Sequence, residues 1–150
     1  MGFYDSIEVS ASGLSAERLA MDVIANNIAN ANTTHTPGGG AFKRQLVVFS
    51  EKNGAASDGI DGVNGAGSSS GPTQGGVQAI GIAQDNSPDR LVFDPGNPDA
   101  DARGYVHYPN VSVVKEMVDL MAASRAYQAN VSAMQEARTM TGAALNLLKS

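Results

Sequence analysis

The residues able to do chemistry are few. His35 and His107 are the only imidazoles, and the chain has no cysteine to share a metal with them. A zinc site built on either one needs Asp or Glu at ligand spacing, and no such spacing occurs. Ser, His and Asp are all present, yet there is no G-x-S-x-G elbow, and the histidines fall in an expected loop and an expected strand without a local partner. The acid-rich stretch "DPGNPDADARG" (94–104) raises the question of calcium, with Asp99 and Asp101 as the carboxylates that would decide it. It lacks the D-x-D-x-D-G loop and its closing bidentate Glu. Asp and Asn beside Pro and Gly are more simply turn formers. "TPGGGAF" (36–42) has glycines but no following Lys-Ser/Thr, so it reads as a turn and not as a phosphate cradle. The expectation is a protein that is not an enzyme, with no catalytic residue, no cofactor and no metal.

Composition narrows the partners. The formal charge of -5 is spread without a basic block, which argues against nucleic acid and against an anionic membrane surface. The start "MGFYDSIE" lacks the basic and apolar regions of a cleavable signal peptide. Gly2 and Ser6 fit the loose myristoylation pattern, but no second anchoring signal accompanies them, so no lipid anchor is expected. The absence of cysteine excludes disulfides and leaves the redox compartment open.

What positions the remaining polar residues is a pair of helices. Ile7, Leu14, Met21 and Ile28 recur at intervals of seven, with Phe3, Ala11, Arg18 and Ala25 filling the intermediate steps. Asp5 followed by Glu8 has the layout of a capping box. The C-terminal segment repeats the pattern through Val113, Met117, Leu120, Tyr127, Val131, Met134, Leu145 and Leu148, with Asn110 as its expected N-cap. Helices over 6–30 and 111–148 are about 38 Å and about 57 Å long at 1.5 Å per residue. Sustained heptads on both predict an antiparallel coiled coil. Val23, Ile24, Val114, Val118, Met121 and Met140 lie off these rows, so each helix carries a second apolar face seeking a further neighbour.

The middle differs. "AFKRQLVVF" (41–49), "VQAIGIAQ" (77–84), "RLVF" (90–93) and "GYVHY" (104–108) are strand candidates by alternation and β-branching. The Gly/Ser-rich run 53–76 has too little apolar surface to offset its ordering entropy and reads as a flexible loop. The fold class is therefore α+β: an N-terminal helical segment 1–32, a small strand-rich insert 33–110, and a C-terminal helical segment 111–150.

One oddity remains at the end of the first helix, where Asn26, Asn27, Asn30 and Asn32 crowd together although asparagine is a poor helix-interior residue. Their amides are expected to satisfy orphan helix carbonyls and to bond to adjoining subunits without adding charge. "NNIANANT" (26–33, ending on Thr33), followed by "FKRQ" (42–45), resembles the N-terminal signature of bacterial flagellar rod and hook proteins. "SRAYQANVSAMQEA" (124–137), which contains Ser124, Arg125, Tyr127 and Asn130, resembles their C-terminal signature. "DPGNPDADARGYVHYPNV" (94–111) is similar to the proximal rod proteins of the FlgC type. The chain departs from the family run in placing "THTPGGGA" before the aromatic Phe42.

The resemblance implies a structural subunit of the proximal rod, located in the basal body within the periplasm. It implies export by the flagellar type III apparatus without a cleaved signal, and helical stacking with itself and other rod proteins. On that reading the helix rows serve as seam and subunit interface. Another axial protein of rod or hook type, a small hydrolase, and a calcium-dependent binding module remain the alternatives at this point.

Overall fold

In the computed structural model, which describes residues 3–52 and 75–147, two long helices bracket four short strands. The elements are α1 (Phe3–Ala29), β1 (Gln45–Glu51), β2 (Val77–Gln84), β3 (Arg90–Phe93), β4 (Tyr105–Tyr108) and α2 (Val113–Leu147). The architecture is α+β, with two separate two-stranded antiparallel sheets. Gly2, Leu148 and all of the expected Gly/Ser loop except Gly75 and Gly76 lie outside the described residues.

Both helix starts differ from expectation. α1 is already helical at Phe3, so Asp5 lies within the helix and does not cap it. α2 begins at Val113, and the carbonyl of Ser112 accepts its first-turn bond from the Glu116 N–H at 2.9 Å. Asn110 cannot cap the helix because its amide is engaged elsewhere. It accepts from the Arg44 N–H at 3.0 Å and donates to the Asp85 carbonyl at 3.1 Å.

The β1–β2 ladder runs from Gln45 opposite Gln84 to Glu51 opposite Val77. Val48 faces Gly81 while Phe49 faces Ala79, which leaves Ile80 as the extra residue of a bulge. In β3–β4, Val92 lies opposite the wholly buried Val106, and Phe93 meets Tyr105 edge-on with ring centroids 5.3 Å apart.

Two contacts fix how the helices run. Asn27 reaches Glu116, and Gly13 lies against Asn130, so contacts fourteen residues apart on α1 match contacts fourteen apart on α2 in the opposite direction. The helices are antiparallel. β1 lies along α1 in reverse: Gln45 is bonded to Asn27, and past the strand's far end Lys52 pairs with Glu8 at 2.8 Å. Seven strand residues span about 23 Å at 3.3 Å each, and the nineteen helix positions between Glu8 and Asn27 span about 28 Å. The seven steps from Gln45 to Lys52 thus fall about 5 Å short of the helix span, a gap the long Lys52 and Glu8 side chains bridge.

Little of this is apolar core. Among the described residues the buried hydrophobic side chains are five alanines (16, 31, 41, 123 and 137) with Val23 and Val106. Most of the larger apolar side chains stay partly or largely exposed, so hydrophobic burial within one chain is small for its length.

Candidate functional site

The deepest polar residues meet where the two helices reach the start of β1. Asn27 and Glu116 are each 0% exposed. The Asn27 amide treats Gln45 as a neighbouring strand would: its Oδ1 accepts from the Gln45 N–H at 2.9 Å and its Nδ2 donates to the Gln45 carbonyl at 2.8 Å. The same Nδ2 donates to Glu116 Oε2 at 3.0 Å. Arg44 donates from Nε to the other oxygen of Glu116 and reaches Asp119 at 3.5 Å. Glu116 stands in the first turn of α2, where the helix dipole favours a carboxylate. No described side-chain polar atom is buried without a partner, so this network is fully satisfied.

Residue 44 also ties in the sheets. Its N–H goes to Asn110, and its carbonyl accepts from the Asp85 N–H at 2.8 Å. Lys43 pairs with Asp89 just before β3. The segment 43–45 is thus the junction between the helix pair and the strands. The Asp85 carboxyl at this junction is held below the usual range by the Ser87 hydroxyl first and then by the Ser87 N–H.

The asparagine cluster divides by role. Asn27 builds the junction, whereas Asn30 donates to the carbonyl and side-chain oxygen of Asn26, both at 3.0 Å, and closes the end of α1. The Thr33 hydroxyl donates to Asn30 Oδ1 at 3.2 Å, while Asn26 and Asn32 are exposed. In "THTPGGGA" the chain closes on itself: the Thr33 carbonyl accepts from Phe42 N–H at 3.0 Å and the Gly40 carbonyl from Thr36 N–H at 2.9 Å. Gly39 and Gly40 there hold φ of 86° and 75°, which side chains disfavour.

Within the chain, burial is deepest on rows other than those periodicity marks. On α1 the buried positions are Ala16, Val23 and Asn27, while Ile7, Leu14, Met21 and Ile28 are half-buried and Ala11 is exposed. Val23, read from sequence as off the seam, is buried. On α2 the buried positions are Glu116, Ala123 and Ala137. Leu120, Tyr127, Val131 and Met134 are half-buried, and Val113, Met117 and Leu145 are exposed. Small residues let the backbones approach, and the larger ones flank the contact. Gly13 shows why: a Cβ there would come within 2.8 Å of Asn130 Nδ2. Of the other motif residues, Ser124 is half-buried and Arg125 exposed.

Away from the seam, α2 presents an open apolar face. Val114, Met117, Val118 and Met121 are 53–74% exposed over two turns, and Met140 and Leu145 extend the exposure toward the far end. A second patch lies on one face of β3–β4, where Leu91 and Phe93 point outward beside Tyr105.

The two histidines come closer than their sequence separation suggests. His35 and His107 line one open hollow of about 480 Å³ with Thr34, Asp89 and Asp99. Its one side-chain hydroxyl, on Thr34, donates to Asp99 at 2.7 Å, so the hydroxyl and the imidazoles are not assembled as nucleophile and base. Asp101 Oδ1 accepts from the Arg103 and Tyr105 N–H groups at 2.8 and 2.9 Å, and Asp94 Oδ1 accepts from the Gly96 N–H. The acidic stretch is a hydrogen-bonded turn. Among the described residues no group of three His, Asp or Glu side chains is placed to hold a metal ion.

Comparison with known proteins settles what kind of scaffold this is. Residues 7–34 match the family model described as flagella basal body rod protein, and residues 102–147 match the model described as flagellar basal body rod FlgEFG protein C-terminal. The flagellar basal-body rod protein FlgC of Borreliella burgdorferi is 41% identical over 160 residues, covering 99% of each chain. FlgC of Bacillus subtilis is 40% identical, covering 99% of this chain and 100% of its own, and FlgC of Salmonella typhimurium is 36% identical over 93% of both. The chain belongs to the FlgC family of flagellar basal-body rod proteins. It is a structural subunit of the flagellar rod.

The two matched segments of this FlgC-family chain hold both helix-pair contacts, Asn27 with Glu116 and Gly13 with Asn130. Reading the sequence alone does not mark Arg44, Gln45, Glu116 or Asp119 as members of a site. The signal that points to the first two is "FKRQ" in the family run. Nothing local distinguishes Glu116 from an ordinary acidic residue in a first helical turn.

Proposed function

We propose that this chain is a proximal rod subunit that assembles helically, with copies of itself and with other rod proteins, into the axial shaft crossing the periplasm. The observation that carries the reading is the open face of α2, where Val114, Met117, Val118 and Met121 leave large apolar surfaces uncovered on a chain with little core of its own. Burying each such side chain contributes about 1.5–3 kcal/mol, and a rod repeats the gain in every subunit. The helices pair as a coiled coil, with 1–32 and 111–150 forming the helical part and 33–110 projecting from it. Ile7, Ala11, Leu14, Met21, Ile28, Val113, Met117, Val131, Met134 and Leu145 contact neighbouring subunits, as do the exposed amides of Asn26 and Asn32. Export proceeds through the flagellar type III apparatus without a cleavable signal peptide, and neither nucleic acid nor a lipid anchor takes part.

The test replaces Val118 or Met121 by Asp and compares each with Asp22→Ala, whose side chain is exposed on α1. Placing a charge in an apolar contact costs several kcal/mol. Val118→Asp and Met121→Asp should be secreted and show the parent's circular dichroism, yet leave basal bodies without rods in electron micrographs. Asp22→Ala should build rods normally. Normal rods from both Asp variants contradict the proposed interface.

A further inference from the structure

On its side of the seam with α2, α1 carries a row of small residues, Gly13, Ala16 and Ala20. The contacts at Asn27 with Glu116 and at Gly13 with Asn130 place Ala20 level with Ala123, and Ala16 level with Tyr127. Such a row discriminates poorly between alignments, because a slip of one heptad sets Leu120 against Ala16 where Tyr127 stood, and Ala123 against Gly13 where Asn130 stood. Something else has to choose. The buried polar set is a feature of this seam that one alignment satisfies and its neighbours do not. After a slip of one heptad Glu116 faces Ala20 in one direction, or residues past the end of α1 in the other, and loses its bond to Asn27.

Asn27 is also bound on two atoms to the backbone of Gln45, at 2.9 and 2.8 Å. Arg44, the preceding residue, holds Glu116 from the other side. Each helix is therefore indexed against the same two residues of the chain as well as against its partner. Neither helix can slide without leaving a fully buried carboxylate or amide unpaired.

We infer that Asn27, Arg44 and Glu116 form a register lock: positioning residues that select one alignment of α1 on α2 and tie it to the start of β1. The role resembles that of a single buried asparagine in a coiled coil, which costs stability and specifies register. It is a property of the single chain and does not depend on how the rod assembles.

The chain has no cysteine, so introduced pairs report alignment without background. In purified full-length protein, Ala20→Cys with Ala123→Cys reports the native register, and Ala16→Cys with Leu120→Cys reports a slip of one heptad. Under mild oxidation the otherwise unaltered chain should form the 20–123 link and not the 16–120 link. With Asn27→Leu, Arg44→Met and Glu116→Leu combined, which makes the buried set apolar, helicity should persist while both links form to comparable extents. Arg44→Lys keeps a cationic donor for Glu116 and leaves the Asn27 bond in place, so it should retain the single native link. The inference is overturned if the triple variant links only at 20–123, because the small seam then sets register unaided. Loss of both links together with helicity overturns it too, since the set is then a condition of docking and not of alignment. Failure of the unaltered chain to link at 20–123, or slippage in Arg44→Lys, has the same consequence.

Discussion

Removing either member of the Arg44–Glu116 pair should destabilise the chain, and the two removals should not be equal. Glu116 is wholly buried, whereas the Arg44 side chain keeps 13% of its surface exposed and has Asp119 as a second partner at 3.5 Å. Arg44→Met strands a carboxylate that cannot reach water and retains only the Asn27 amide, so a cost of about 3–5 kcal/mol is expected. Glu116→Leu leaves a long cation free to swing toward Asp119 and solvent, so the cost falls to that of a charged hydrogen bond, about 1.5–3 kcal/mol. Against a total stability of about 5–15 kcal/mol for an ordinary domain, and with so few large side chains buried here, the first change should undock the helices. Urea unfolding of purified full-length chain, followed by far-ultraviolet circular dichroism, gives both values under one condition. Equal losses, or a larger loss for Glu116→Leu, refute the view that desolvation of the carboxylate governs this site.

Other outcomes follow from the hairpin and the helix ends. The Asp101 carboxyl is held below its ordinary range mainly by the Tyr105 N–H, then by the Arg103 N–H, so its contribution is present above the unfolded value near 4 and is lost as pH falls through the depressed folded value. The amide resonances of Arg103 and Tyr105 should therefore move together below about pH 4, and Asp101→Asn should abolish that movement. Gly104 has φ of 80°, and a Cβ there would lie 3.0 Å from the Phe93 ring. Gly104→Ala should cost about 1–3 kcal/mol and disperse the Phe93–Tyr105 ring shifts, while a neutral effect would contradict the strain. Amide exchange in the unassembled chain should be slowest over 16–27 and 116–127, around the buried set, and fastest toward 137–147, where α2 runs on with few partners. Uniform exchange along both helices would contradict that gradient.

Much of the fold is legible in the sequence because local signals suffice for it. Alternation in "LVVF", "VQAIGIAQ" and "RLVF" marks strands, and long three-four spacing marks both helices. The helix starts are less legible. Asn110 has the side chain of an N-cap, but Arg44 and Asp85, distant in sequence, claim its amide first. The seam is displaced for a related reason. Periodicity weights Leu14, Met21 and Met117 for their size, whereas small residues hold several of the most closely packed helix positions, Gly13, Ala16 and Ala123. The buried polar set is least visible of all. Arg44 and Glu116 are 72 residues apart, and an arginine before a strand or a glutamate in a first helical turn is ordinarily a surface residue. Only the family run "FKRQ" draws attention to that position. His35 and His107 reach a common hollow through the closed turn at 33–42 and the β3–β4 hairpin, a juxtaposition no local pattern announces.

The central claim, that this chain is a rod subunit built into the shaft through its uncovered apolar faces, is tested most directly by imaging basal bodies that carry a labelled copy. A small tag placed in the 53–76 segment should appear as regular extra density around the proximal rod, and deletion of the gene should remove rod and hook together. Label confined to the membrane ring or absent from the basal body, or complete rods in the deletion strain, would contradict the account.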